Sequence, residues 1–419
     1  MKSAENSAYK NQFNNYLGGL ASWWVGLGLQ SVLIPYVVTQ ELHETPEKLG
    51  IAQMCTMLPA FLLILHAGIT ADRTDSRNIA LRLHLFSFFP SFAIGMLVFL
   101  HRLHFSGVIL YALAMGVLSA YNIPSRDALL HRVVIGKIQQ EVSRATTIQF
   151  LSQVSGFLLA ASASFVPIED LFFAQALIMI AGAVFMRGIE PKPKHEVKQN
   201  QQTPILQSLK EGFAIVGNHA PMRLVSLLNI LVGLIFMGGL MVAVPIIVRD
   251  VYHGNSTTLS FAITSFYVGV VAASIILSKM RRIHNIGLIL VTVMALGSGA
   301  MLIITFSVPY SVFIFLIFGW GMAVGFVFTL GRAVIQESAP KGMQARALSI
   351  YQIGITGGAP IGSITLGFLT HELGALEVLY IPALLLLVIL LIACGSTDLL
   401  HITIGKQPPY HDKVPVEQD

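Results

Sequence analysis

The sequence predicts an all-α membrane protein of twelve transmembrane helices, arranged as two pseudo-symmetric six-helix bundles with both termini cytoplasmic. Three observations carry this expectation. The 419-residue chain is 54% hydrophobic and only 11% charged, its apolar residues come in blocks of about twenty, and its basic residues fall almost wholly in alternate breaks between those blocks. A soluble chain would carry roughly 25% charged residues.

At 1.5 Å per residue, about twenty residues cross a hydrocarbon layer of roughly 30 Å, and lipid offers no hydrogen-bond partners, so each block reads as a helix. The spans fall at 16–40, 49–71, 79–100, 106–130, 144–165, 171–188, 222–248, 258–279, 286–307, 310–333, 346–370 and 375–396. Between the fifth and sixth stand only Val166, Pro167, Ile168, Glu169 and Asp170, where the proline and two acids force a turn.

Orientation follows from the positive-inside rule. Only Lys48, Arg102 and Arg249 lie in breaks assigned to the outside, and the other basic residues fall on the opposite side or at its edge. Topology therefore accounts for the net charge of +5, and no nucleic-acid partner is expected. The first apolar stretch, from Tyr16 to Val38, is longer than a signal-peptide core and lacks a small-residue cleavage site, so it is expected to stay as the first span. Cys55 and Cys394 sit in apolar blocks as small hydrophobes; no disulfide, metal or cofactor is expected.

The chain divides into a first bundle at 1–188, a cytoplasmic central loop at 189–221, a second bundle at 222–396 and a cytoplasmic tail at 397–419. Within the loop, Ile205, Leu206, Leu209, Phe213 and Val216 have helical spacing, which predicts an amphipathic helix on the inner membrane face. The halves echo one another. Ser143-Arg144-Ala145 and Ala345-Arg346-Ala347 stand 202 residues apart, and Gly156 and Gly358 keep that offset. A duplicated six-span unit places a substrate site at the midplane between its halves.

The break between spans two and three reads Gly68-Ile-Thr-Ala-Asp72-Arg73-Thr-Asp75-Ser-Arg77. It resembles the G-x-x-x-D-R-x-G-R-[RK] signature of the major facilitator superfamily, with Asp75 in place of glycine and Ser76 in place of a basic residue. The form D-R-x-D-x-R, with Asn122-Ile-Pro124-Ser-Arg126 and Gly358-Ala-Pro360-Ile-Gly362, is similar to the branch holding the enterobactin exporter and macrolide-efflux proteins. That resemblance implies efflux of a small organic molecule by alternating access across a bacterial-type inner membrane. It also implies a cytoplasmic gate at Gly68, Asp72, Arg73 and Arg77, with Asp72 facing the start of span 11 near Arg346, Arg73 or Arg77 meeting Asp127, and Arg281 or Arg282 meeting Glu337. Span 5 departs from the related exporters' antiporter signature, keeping only Gly156-Phe157 and Ala160-Ala161, which weakens the case for strict proton antiport.

Ionisable residues inside spans are costly and usually functional, yet no Asp or Glu falls in the central part of any span. The polar midmembrane residues are neutral or aromatic: Gln30, Gln53, Asn122, Gln149, Gln153, Asn229, Tyr267, Trp320 and Gln352. Each reads either as a lining residue of a substrate cavity or as interhelical glue. His66 reads as an interfacial histidine. The leading function is export of a siderophore-like metabolite or drug by a monomeric secondary transporter. A proton- or ion-coupled importer and, further off, a membrane lipid-modifying enzyme are the alternatives. The enzyme would need a His, Asp or Cys constellation, and the histidines are scattered singly.

Overall fold

The computed structural model describes residues 2–134, 138–191, 205–280, 285–340 and 343–396, and the chain there is almost wholly helical. The first six helices are α1 (Lys2–Tyr36), α2 (Pro46–Arg73), α3 (Ser76–Phe99), α4 (Phe105–Val133), α5 (Ile138–Ala161) and α6 (Ile168–Arg187). A short amphipathic α7 (Ile205–Asn218) follows. Then come α8 (Ala220–Leu231), α9 (Val244–Asp250), α10 (Ser256–Lys279), α11 (Ile286–Ile304), α12 (Tyr310–Ser338), α13 (Gln344–Leu373) and α14 (Tyr380–Ser396).

Among the described residues, eleven helical stretches are long and apolar enough to cross a bilayer, with α8 and α9 joined into one span over Ala220–Asp250. The twelfth span is α5, whose 24 residues fall short in apolarity because they include Glu141, Arg144, Gln149 and Gln153. The break expected before α6 is present as a single tight turn, Ser162–Ser164, ahead of Pro167. Helices α1, α2, α4, α5 and α12 overrun the predicted spans by several residues, since hydropathy marks the apolar stretch and not the hydrogen-bonded helix that continues beyond it. Span 7 is wound as a π-helix over Val232–Met237 and Gly239–Ala243, and α1 continues as a π turn over Val37–Glu41.

The chain forms two compact units. The first comprises Met1–Gln201 with Leu240–Thr264 and Ser363–Ala375; the second comprises Gln202–Gly239, Ser265–Gly362 and Leu376–Asp419. In the first, α1 packs on α5 and α6, α2 on α4, and α3 on α4 and α6. A cluster of Phe13, Tyr16, Leu20, Ala80, Leu129, Leu130 and Met186 locks the inner ends of α1, α3, α4 and α6 together. In the second, α11 packs on α12 and α14, and α8 on α12.

The glycines 202 residues apart do the same job in each unit. A Cβ on Gly156 would lie 2.2 Å from the Val25 carbonyl oxygen of α1, and one on Gly358 would lie 2.7 Å from the Ile230 carbonyl oxygen of α8. In both places the absence of a side chain lets two helix backbones touch.

Candidate functional site

The inner loop between α2 and α3 is built around Asp75. Its carboxylate caps α3 by accepting from the Arg77 amide at 3.0 Å and pairs with Arg132 at 2.6 Å from the end of α4. Arg132 also donates to the Glu190 carbonyl at 2.5 Å. Arg77 does not meet Asp127; it donates to the backbone carbonyls of Ile189 at 3.0 Å and Arg187 at 2.8 Å, because the capping of α3 turns its side chain toward the end of α6. The side chains of Asp72 and Arg73 lie outside the described residues, as do Arg281 and Arg282. Gly68 has open space where a Cβ would stand. Glu337 is exposed on α12. Arg346, expected at the gate, forms an ion pair with Glu211 that ties the start of α13 to α7.

Asp127 is held instead by its neighbour Arg126, whose Nε and Nη2 donate to Asp127 Oδ1 at 3.1 and 3.0 Å. Nη1 of Arg126 donates to Gln149 Oε1 at 3.2 Å, and the guanidinium lies over the Trp24 ring at 5.7 Å. Asn122 and Tyr16 stand close by, lining a small pocket that Arg126 also borders. This cluster draws its side chains from α1, α4 and α5. The sequence had put Arg126 at a span edge, where a basic residue is read as topology. The sequence signal that could have found it is the i, i+4 pair Asn122 and Arg126, which share one face of α4.

Gln30 and Gln153 belong to helix contacts. Tyr111 donates to the side-chain carbonyls of both Gln175, at 3.0 Å, and Gln30, at 3.3 Å. Gln175 in turn donates to the Gly26 carbonyl at 3.2 Å. Gln153 is buried where α5 touches α1 at Gly28, and Gln53 is buried in α2. His66 accepts from or donates to the Tyr121 hydroxyl at 2.7 Å. His84, not singled out by the sequence, is buried between the Ala80 and Gly19 carbonyls at 2.8 and 3.1 Å.

In the second unit, Asn229 is fully buried and donates to the Tyr351 carbonyl at 2.7 Å, joining α8 to α13. Trp320 is also fully buried, edge-on to Phe236 and Phe266. Tyr267 stacks edge-on with Phe266, and Gln352 is exposed.

The first unit carries a second polar group that sequence reasoning missed, at the outer ends of the helices. Arg249, paired with Asp250, donates to the Glu44 carbonyl at 3.2 Å, and Gln40 donates to the Gly254 carbonyl at 3.2 Å. Ser164 meets Ser256 and Thr257 at 2.9 and 2.8 Å, and His371 stands 3.2 Å from Glu47. The outer end of α1 and the turns before α2 and α6 are thus hydrogen-bonded to the outer ends of α9 and α10, and His371 of α13 stands beside Glu47 at the start of α2. Only Arg249 had a visible signal, as one of three basic residues on the outer side.

With this geometry in hand, comparison with known proteins is informative. The chain matches the transmembrane secretion effector family over residues 18–401. It is 23% identical over 287 residues to the staphyloferrin A transporter of Staphylococcus aureus; the match covers 65% of this chain and 66% of that protein, just under two thirds of its length. Its fold is similar to the nucleoside transporter NupG, at a TM-score of 0.70 and 13% identity over 93% of this chain and 98% of the other. It is also similar to a POT family transporter in complex with 5-aminolevulinic acid, at a TM-score of 0.70 and 14% identity over 94% and 96%. With the match running along most of its length and its helices folded as those transporters fold, the chain belongs to the transmembrane secretion effector family of the major facilitator superfamily.

Proposed function

We propose that the protein is a secondary transporter that exports a small organic molecule across a bacterial inner membrane by alternating access. The observation that carries the reading is the cluster of Arg126, Gln149, Asn122 and Trp24, which brings a charge into a bundle where Gln30, Gln53, Gln153 and Gln175 are neutral, since a charge within a span is expensive and is kept for function. The name of the Staphylococcus aureus relative supports a siderophore-like cargo, and the family description supports outward movement. The gate reading of the inner loop rests on Asp75, Arg77 and Arg132 together with the family motif. A single copy contains both units and is the transporting species, with a proton as an optional coupling ion.

Direction is tested in vesicles of opposite orientation prepared from cells expressing the protein. ATP-independent accumulation of an organic cargo in inside-out vesicles, and not in right-side-out ones, is the expected result. The reverse pattern assigns the protein to import.

A further inference from the structure

Arg126 sits seven residues before the cytoplasmic end of α4, about 10 Å along the helix, and is only 19% exposed. A basic residue that merely set topology would extend to the interface and leave its guanidinium in water. This one instead lies over the Trp24 indole and reaches Gln149 on α5. A guanidinium has five N–H groups. Three are taken, two by one oxygen of Asp127 and one by Gln149, which leaves one on each Nη without an acceptor among the described residues. The Trp24 Nε1–H likewise has none.

Asp127, 57% exposed, is the more accessible partner of this pair. An exposed carboxylate holds its cation weakly, because water competes for it. A cation would be repelled by the guanidinium, and a neutral ligand would gain nothing from its charge. A carboxylate on the ligand satisfies the planar fork in the way that suits it best, through two parallel N–H donors.

We propose that Arg126, with Trp24 and Gln149, is a subsite for a carboxylate group of the transported molecule, and that Asp127 occupies the guanidinium until an organic anion displaces it. The inference rests on the transport reading for its biological meaning, but it is tested by binding, which is separable from flux. The probes are two dyes of the same xanthene scaffold and opposite charge, carboxyfluorescein and tetramethylrhodamine methyl ester. Fluorescence polarisation with the purified full chain measures binding, and proteoliposomes measure flux.

Wild-type protein is expected to bind carboxyfluorescein saturably and more tightly than the cationic dye. Arg126→Gln should weaken that binding roughly tenfold or more, and Arg126→Lys by less, since the charge remains and the fork is lost. Asp127→Asn should tighten it, because the competing carboxylate is gone. Preference for the cationic dye, no saturable binding of carboxyfluorescein, or equal affinity in wild type and a folded Arg126→Gln variant overturns the subsite. Where Arg126→Gln fails to fold, Asp127→Asn decides: tighter binding supports displacement, and unchanged or weaker binding overturns it. Binding through Arg126 with neither dye moved across the vesicle keeps the subsite and removes the transport reading. Flux of the cationic dye alone does the opposite.

Discussion

Arg132 Nη1 lies 2.6 Å from Asp75 Oδ1, and the same oxygen accepts from the Arg77 amide at 3.0 Å. One carboxylate thus caps α3 and clamps the end of α4. Asp75 stands where the superfamily pattern has glycine, and this double role is what the departure supplies. Asp75→Asn should keep the cap and lose the ion pair, whereas Asp75→Gly should lose both. The expected order of melting temperatures is wild type, then Asn, then Gly, with the last lower by about 1–3 kcal/mol of stability. Equal melting of wild type and Asp75→Asn would show that the Arg132 pair contributes nothing, and equal melting of the two variants would show the same of the cap.

Helix contact through glycine should be costly to disturb only where backbones meet. Gly156→Ala places its methyl 2.2 Å from a carbonyl oxygen and should destabilise by about 1–3 kcal/mol. Gly358→Ala, at 2.7 Å, should cost somewhat less, and Gly68→Ala, in open space, should be close to neutral in melting temperature. A large loss of transport in Gly68→Ala at unchanged melting would assign that glycine to the moving loop.

The outer hydrogen bonds should restrain opening on that side. Arg249→Ala removes the bond to the Glu44 carbonyl. Cys55, buried where α2 meets α4, should then react with a membrane-impermeant maleimide about fivefold faster, the factor that ~1 kcal/mol commands. The measurement is made in a Cys394→Ser background, and an unchanged rate would show that Arg249 does not restrain these outer ends.

His219 precedes α8 outside the membrane, half-buried, with Nδ1 lacking a partner, and burial lowers its pKa below the usual histidine value. The folded state therefore binds fewer protons there than the unfolded one. Stability is full above the unfolded value of about 6.5 and falls as pH drops through it toward the folded pKa. His219→Gln should flatten the melting-temperature profile between neutral and mildly acid pH. An identical slope in the variant would move that dependence elsewhere.

Gln149 and Asn229 should separate binding from packing. Gln149→Ala removes a contact of Arg126 and should weaken cargo binding at nearly constant melting temperature. Asn229→Ala removes the bond to Tyr351 and should cost about 0.6 kcal/mol of stability with affinity unchanged. The two measurements on both variants give four values, and the opposite pattern would exchange their roles.

Length and hydropathy were enough to count the spans and separate α5 from α6, because the bilayer imposes those features residue by residue. The amphipathic α7 and the 202-residue echo of Gly156 and Gly358 were legible for a similar reason: helical periodicity and small-residue contacts are local patterns. Partnership was not legible. Gln30, Gln53 and Gln153 looked like Gln149 in sequence, yet the first three are buried in the bundle and only Gln149 meets a charge. Arg126 and Arg132 are six residues apart on one helix, and both read as topology. The packing of α1 against α4 turned Arg126 toward Trp24, and the capping of α3 by Asp75 drew Arg132 toward the loop. Which polar residue binds and which only joins helices depends on what faces it across the bundle, and that is set by tertiary packing between segments far apart in the chain.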